Sequence, residues 1–434
     1  MSLGDRLEQR ADEGNPVRVA VVGAGQMGTG LVIQMEHLRG FHVIGIADIN
    51  AERARHAFAQ AGVASEQLAV VEDLDQAQRA VEAGMRVVTR DAALLASVSG
   101  GEVVVDATGV PEVGARVAVA AIGARKHVVM LNVEADITVG RALKAMADEA
   151  GVVYTGSAGD EYGATKELVE FAQTLGFTVI AAGKGKNNIL DRSVTPKDQE
   201  QRAQRLGANP WMLSSFVDGT KTMVEMTCLA NATGLVPDVR GMHGPDATVQ
   251  TLPKIFCPQT DGGILSRAGV VDYAIGVAPG VFVIISTEQP AIADNLRYLQ
   301  LGPGPYWLLF RPYHLANLET PMSVARAAIY GEATIAPGPE AVAETIAVAK
   351  RDLKAGEKLD AIGGYDYYGM IDRAEVVERE GLLPIGLAEA AVLAAPVARG
   401  EAIRRSIVQV EDTTLARLRK KQEAGAPLEP ALRS

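Results

Sequence analysis

Cysteine is almost missing from this chain: two in 434 residues, Cys228 and Cys257. Two thiols cannot build a disulfide framework or a cysteine-rich metal site, and their scarcity fits a reducing, cytoplasmic setting. Both are expected to be small packing residues. None of the six histidines stands at metal-ligand spacing, and there is no HExxH. No apolar run reaches membrane-spanning length. The N-terminus, MSLGDRLEQRADEGNP, is charged and lacks an apolar centre, so it does not read as a secretory leader. Basic runs are missing too, and the net charge is −11. That argues against nucleic acid or an anionic membrane as the main partner and leaves a small-molecule substrate.

What is present begins with enough apolar residues, 48%, for a packed core. The length suggests two or three domains. After a stretch read as a flexible tail (1–16), apolar runs alternate with helical segments: strands at 17–22, 42–48, 102–109, 127–132, 152–157 and 177–185. Strand, helix, strand at this rhythm predicts an α/β fold with a doubly wound parallel sheet. The stretch 63–90 is longer than a minimal connection and is expected to carry an insertion. From about residue 157 the pattern changes to helices separated by Gly/Pro-rich loops, predicting a second domain to about 336. KAGEKL and ARGEAI echo each other within 341–411, which suggests a small β module with repeated turns. Residues 412–434 read as a charged helix fraying into a tail.

The sequence GAGQMG, Gly23-Ala24-Gly25-Gln26-Met27-Gly28, follows the first strand and opens a helix. Its glycines permit a tight turn, close approach of a pyrophosphate and close helix–strand packing, and the helix N-terminus offers free N–H groups to phosphate. Strand–turn–helix context makes this a dinucleotide fingerprint. Asp48 ends the second strand, where a carboxylate binds ribose hydroxyls and repels a 2′-phosphate, so NAD is preferred over NADP. Arg53 and Arg55 remain able to reach a phosphate. Thr108 and Gly109, then Asn132 and Glu134, follow later strands on the edge where ligands bind.

Three further clusters carry chemistry. SAGDEYG supplies Ser157, Asp160 and Glu161, either as substrate ligands or as a plain helix cap. AAGKGKNN reads as a loop presenting Lys184, Lys186, Asn187 and Asn188 to an anionic or polyhydroxylated substrate, or as a solvated basic turn. SSFVDGTKTMVEMTCLANATGL, 214–235, reads as one nearly all-apolar helix with Asp218, Lys221 and Glu225 along one line. Buried ion pairs add little stability, so three charges there point to a catalytic cleft, with charges paired across a subunit interface as the alternative. RPYHL adds Arg311, a carboxylate or phosphate ligand, and His314, a ligand or a core histidine. A divalent metal at Asp160, Glu161 or Glu134 is compatible with these residues but demanded by no spacing.

Taken with DATGVPEVG, LNVEAD, NATGLVPDVRGMHGP and RPYHL, these motifs resemble the homoserine dehydrogenase-like oxidoreductases with a C-terminal SAF domain. That family includes the DXR-like enzymes, similar in activity to 1-deoxy-D-xylulose 5-phosphate reductoisomerase. The resemblance spans about 17–412. It implies a Rossmann domain (17–156), a homoserine-dehydrogenase-like α+β catalytic and oligomerisation domain (157–336), a SAF module (341–411) and a homo-oligomer. It also implies that Lys184, Lys186, Asp218, Lys221 and Glu225 face a nicotinamide. The activity expected is hydride transfer to or from a small polar, anionic hydroxy or keto substrate. In the reductoisomerase branch it is coupled to isomerisation; in the homoserine branch it is not. A dinucleotide-responsive sensor of sugar acids is the alternative outside enzymology.

Overall fold

The computed structural model describes residues 1–425, which divide into two compact units. The first comprises 1–160, 315–336 and the C-terminal segment from 412. Its seven strands are β1 (Val17–Val22), β2 (Phe41–Ala47), β3 (Leu68–Val70), β4 (Arg86–Thr89), β5 (Val103–Asp106), β6 (His127–Met130) and β7 (Tyr154–Gly156). They form one sheet in the order β3-β4-β2-β1-β5-β6-β7 with every pair parallel. The β1 run VRVAVV is β-branched and buried except at Arg18, as expected of a strand covered on both faces. The 63–90 stretch carries β3 and β4, which extend one edge of this sheet.

The N-terminus departs from the expected flexible tail, whereas the C-terminal segment forms the expected helix. Leu3–Asp12 is a helix, because Ser2 and Asp5 cap each other's backbone N–H groups in a capping box. Its Leu3 and Leu7 pack against the core formed by Val17, Leu31, Val43 and Phe58. At the other end Thr414–Ala424 is a helix whose Leu415 and Leu418 are buried. Its first N–H groups donate to Glu112, and Arg419 donates to the carbonyl of Thr138. The final residues, 426–434, lie outside the described part of the chain.

The second unit comprises 161–314 with 337–411. The expected domain boundary near 336 is therefore drawn differently: the helix Ala316–Tyr330 packs with the first unit, and the C-terminal β module clusters with the second. A five-stranded sheet runs β12-β11-β8-β10-β9, with β8 (Thr178–Lys186), β9 (Val236–Pro237), β10 (Val270–Ile275), β11 (Val281–Ser286) and β12 (Trp307–Arg311). β8 pairs parallel with β10 and antiparallel with β11. The β module adds an antiparallel pair, β13 (Ala343–Ala349) and β14 (Tyr367–Arg373), and a short pair, β15 (Val392–Leu393) with β16 (Val408–Gln409).

Two local expectations are corrected. GKGK is not a loop: Lys184 and Lys186 lie within β8, opposite Tyr273 and Ile275 of β10. The glycines beside them serve close packing, since a Cβ at Gly183 would lie 1.8 Å from the Asp272 carbonyl oxygen and one at Gly185 would lie 2.3 Å from the Ala278 nitrogen. Residues 214–235 are not one helix. Pro210–Val217 ends at Asp218, Gly219 turns through φ +89°, and Thr220–Thr233 begins a second helix. The positive φ breaks the ladder at a position glycine adopts without steric cost.

Among the described residues no helix is long and apolar enough to cross a membrane.

Candidate active site

In the first unit the fingerprint residues gather at the carboxyl end of β1. Gly25 caps the helix Gln26–His37, and Gly23 turns through φ +96°. A Cβ on Gly28 would fall 1.9 Å from the Gly23 carbonyl oxygen, whereas one on Gly25 meets nothing within 4 Å. Gly28 is thus the packing glycine, and Gly25 leaves backbone open for a phosphate group to approach. Asp48 accepts the Ala24 N–H through Oδ2 and the Asn50 N–H through Oδ1, each at 2.8 Å. Each oxygen keeps a further lone pair, so a diol can still be bound. Gln26 and Met27 are exposed on the first turn, while Thr108 and Gly109 flank the open edge. Exposed backbone at a helix N-terminus and a carboxylate ending β2 fit the pyrophosphate and ribose of a dinucleotide.

A residue the motif reading passed over organises this edge. Asp106 is fully buried at the end of β5. It accepts the Thr108 N–H and the Asn132 side-chain amide, each at 3.0 Å. Asn132 also caps the helix Val133–Ala150. Burial pushes the Asp106 carboxyl up to about 6, against the pull of those hydrogen bonds. Glu134 is buried in the first turn of that helix. Ser157 is buried as well, hydrogen-bonded to Thr320 at 2.8 Å, so its hydroxyl holds the unit together. Asp160 closes the N-terminal segment of the first unit.

In the second unit the charged residues converge around Lys184. Its ammonium contacts Glu161 at 2.5 Å and Glu225, and the three side chains are 6%, 13% and 1% exposed. Burial lowers the proton affinity of Lys184, but the two carboxylates outweigh it and hold that affinity above the ordinary value. Glu225 is pushed up by burial and by the charge of Glu161, against Lys184 and Lys221. His314 Nε2 lies 3.4 Å from Glu161 Oε1. The result is a fixed cation held between two carboxylates.

Lys186 points the same way from the strand, two residues on. It donates to the Phe216 carbonyl at 2.6 Å and to Asn188 at 3.0 Å, and among the described residues no carboxylate pairs with it. Burial, then the neighbouring Lys184, push it down to about 8. One strand therefore carries a lysine locked in its charged form beside one able to exchange a proton near neutrality. Asn187 is exposed beside them. Arg311, on β12, pairs with Glu167 at 3.3 Å and lies over the Tyr313 ring.

The line expected through 218, 221 and 225 is divided. Glu225 joins Lys184. Asp218 sits at the corner between the helices, where its Oδ1 accepts the Thr220 N–H at 2.8 Å and its Oδ2 faces Lys350 Nζ at 2.8 Å. Two other features escaped the sequence reading: Lys350 itself, and a buried knot around His243. His243 Nδ1 and Asp272 Oδ2 are 2.8 Å apart, Nε2 lies 3.4 Å from Asp238, and Ser266 donates to Asp238. Asp272 also accepts the N–H groups of His243, Gly244 and Tyr273. An isolated histidine in a glycine-rich loop carried no pattern by which to find this.

Residues 159–320 match the family model described as Oxidoreductase DRL, catalytic domain. That span contains Glu161, Lys184, Lys186, Lys221, Glu225, Arg311 and His314. No curated protein matches the chain. Among solved structures, a probable dehydrogenase from Thermotoga maritima aligns over 73% of this chain and 90% of its own, at 12% identity and a TM-score of 0.42. A scyllo-inositol dehydrogenase from Lactobacillus casei, with NAD(H) and scyllo-inositol bound, aligns over 62% and 73%, at 12% identity and 0.37. A DOX-P reductoisomerase in complex with NADPH, fosmidomycin and magnesium aligns over 49% and 58%, at 13% identity and 0.33. Likenesses of this order leave the activity to be argued from the residues.

Proposed function

We propose that this chain is a nicotinamide-dependent oxidoreductase acting on a carbon that bears a hydroxyl or keto oxygen in a small, polar, anionic substrate. The observation that carries the reading is the buried lysine pair on β8, one seated between Glu161 and Glu225, the other on the Phe216 carbonyl, where burial lowers its proton affinity. The match of residues 159–320 to an oxidoreductase catalytic domain supports it. A bound nicotinamide supplies the hydride acceptor or donor. Gly23 to Gly28 hold its pyrophosphate, and Asp48, by accepting from the ribose hydroxyls, favours NAD over NADP.

The chain's own residues do the rest. Lys184, kept protonated, stabilises negative charge developing on the reacting oxygen. Lys186 gives or takes the proton of that oxygen, which its lowered proton affinity suits. Glu161 and Glu225 hold the Lys184 ammonium in place and limit its rotation. Arg311 and His314 bind the polar end of the substrate. Lys221 shares the field at Glu225. The same lysine pair serves plain dehydrogenation and, in a phosphorylated keto sugar, an isomerisation ahead of hydride transfer.

The test mixes the purified protein with NADH or NADPH and 1-deoxy-D-xylulose 5-phosphate, or with NAD and a panel of hydroxy acids including homoserine. Reduced-nicotinamide absorbance is followed. Turnover of the keto sugar phosphate assigns the reductoisomerase branch; turnover of a hydroxy acid assigns simple dehydrogenation. Asp48→Ala should weaken NADH binding about tenfold, the equivalent of about 1.4 kcal/mol, and narrow the gap to NADPH. Dinucleotide binding that Lys184→Met leaves intact, with turnover in neither protein on any substrate, would instead favour a sensor.

A further inference from the structure

The helix Thr220–Thr233 is tied to the C-terminal β module at four points along its length. At its leading corner Lys350, which follows β13, faces Asp218 at 2.8 Å. At its first residue, Thr220 Oγ1 accepts the Gly369 N–H of β14 at 2.8 Å. Farther along, Thr227 and Thr345 share a hydroxyl hydrogen bond of 2.8 Å. Near its end, Asn231 accepts the N–H groups of Val342 and Ala343 at 2.9 and 3.1 Å and donates to the Ala343 carbonyl at 3.1 Å. Asp218, Thr220, Thr227, Asn231, Thr345 and Lys350 are all buried.

The first tie differs from the others because it carries charge. Lys350 also donates to the carbonyls of Val194 and Gly364 at 2.9 and 2.7 Å, so two backbone carbonyls aim the ammonium and its contact with Asp218 Oδ2 is one of charge. Asp218 spends its other oxygen on the Thr220 N–H, at the start of the helix that carries Glu225. The same corner ends the preceding helix, whose Phe216 carbonyl receives Lys186. A continuous path of contacts therefore runs from the β module to the β8 lysine pair.

We propose that Lys350 is a positioning residue of the active site: by neutralising and fixing Asp218 it holds the corner that seats Lys186, which makes the C-terminal module a working part of the catalytic unit. The functional weight of this tie rests on the role proposed for Lys186; the tie itself does not. The charges facing Lys186 are Lys184 from its own strand, Glu225 from the second helix, Asp218 from the corner and Glu161 from the helix Glu161–Thr174. Lys350 itself faces Asp218 and, at longer range, Asp191, Asp198 and Asp360. Asp218 strengthens the hold of Lys186 on its proton. Removing the Lys350 charge leaves Asp218 uncompensated and strengthens that hold further. Removing the Asp218 charge weakens it, and the remaining Lys350 charge acts in the same direction.

The experiment uses the full chain and trace acetylation by acetic anhydride across the neutral-to-alkaline range, with label on the Lys186 peptide read by mass spectrometry. Lys350→Met should move the Lys186 midpoint up, and Asp218→Asn should move it down, each by about one pH unit or more. Lys350→Arg should leave it in place. A merely structural role would not give opposite signs. An unmoved midpoint, or shifts of the same sign in the two variants, overturns the proposal. If Lys350→Met does not fold, Asp218→Asn decides: no downward shift overturns it. Shifts of opposite sign in a protein that turns over no hydroxy or keto substrate would sink the oxidoreductase reading and leave the tie standing. Turnover without the shifts would do the reverse.

Discussion

Replacing Lys184 with methionine removes the cation that bridges Glu161 and Glu225 while keeping the length of the apolar stem. All three side chains are largely buried. Taking one partner from such a cluster strands the charge of the others and costs about 3–5 kcal/mol. The cost should depend on pH. Glu225 already holds its proton above the ordinary carboxylate value. Its contribution to stability is therefore fully present below the unfolded value of 4.5 and is lost as pH rises through the raised folded value. Without Lys184 the folded value rises further, and this window moves toward neutrality. Lys184, whose proton affinity is raised above 10.5, supplies its share at every pH below that. Both tryptophans, Trp211 and Trp307, lie in the second unit, so urea unfolding followed by their fluorescence reports on this unit alone. At about pH 8 the variant should lose about 3–5 kcal/mol, and at about pH 5.5 about half of that or less. Adding Glu225→Gln should recover part of the loss at the higher pH, as expected of coupled neighbours. A loss under about 1 kcal/mol at the higher pH, or an equal loss at both, would refute the buried cluster.

The last two demands of the glycine fingerprint separate in single variants. Gly25→Ala should keep the melting temperature of the first unit and weaken dinucleotide binding about tenfold or more, because its Cβ meets open space in the protein but blocks the phosphate approach. Gly28→Ala should lose both, with about 1–3 kcal/mol of stability or more, because its Cβ overlaps the Gly23 carbonyl; calorimetry and fluorescence titration distinguish them. At His243 the hydrogen bond to Asp272 raises the proton affinity against burial. That stabilisation is complete below the unfolded value of 6.5 and lost as pH rises through the folded one. The stability gap between the wild type and His243→Gln should accordingly be widest in mild acid and shrink in alkali; a gap independent of pH contradicts the charged bridge.

Local patterns made part of this molecule legible. The β1 run, GAGQMG and Asp48 lie within one strand–helix–strand segment, so spacing along the chain is already proximity in space. The same holds for the Ser2–Asp5 capping box, visible as S-x-x-D yet passed over because the residues around it are charged. The break at Gly219 was carried by Asp-Gly, but the apolar residues on both sides made a single helix the simpler pattern. β10 and β11, VVDYAI and VFVIIS, show the β-branched run of a buried strand. The loops around them drew the reading toward helices and turns instead.

The amino-acid order by itself determined the α/β class, the glycine turn between β1 and its helix, and which side chains are chemically able to act, since each depends on residue type and short-range spacing. Only the tertiary structure decided their partners. The strand read over 177–185 and the loop read over 181–188 overlap at Gly183 to Gly185, and pairing with β10 and β11 decides for the strand. Glu225 meets Lys184 across 41 residues, and Asp218 meets a lysine from the C-terminal module rather than its helical neighbours. Charge in a buried place acts over a few ångströms of low-dielectric space. Which groups come within that distance is settled by packing, not by order along the chain.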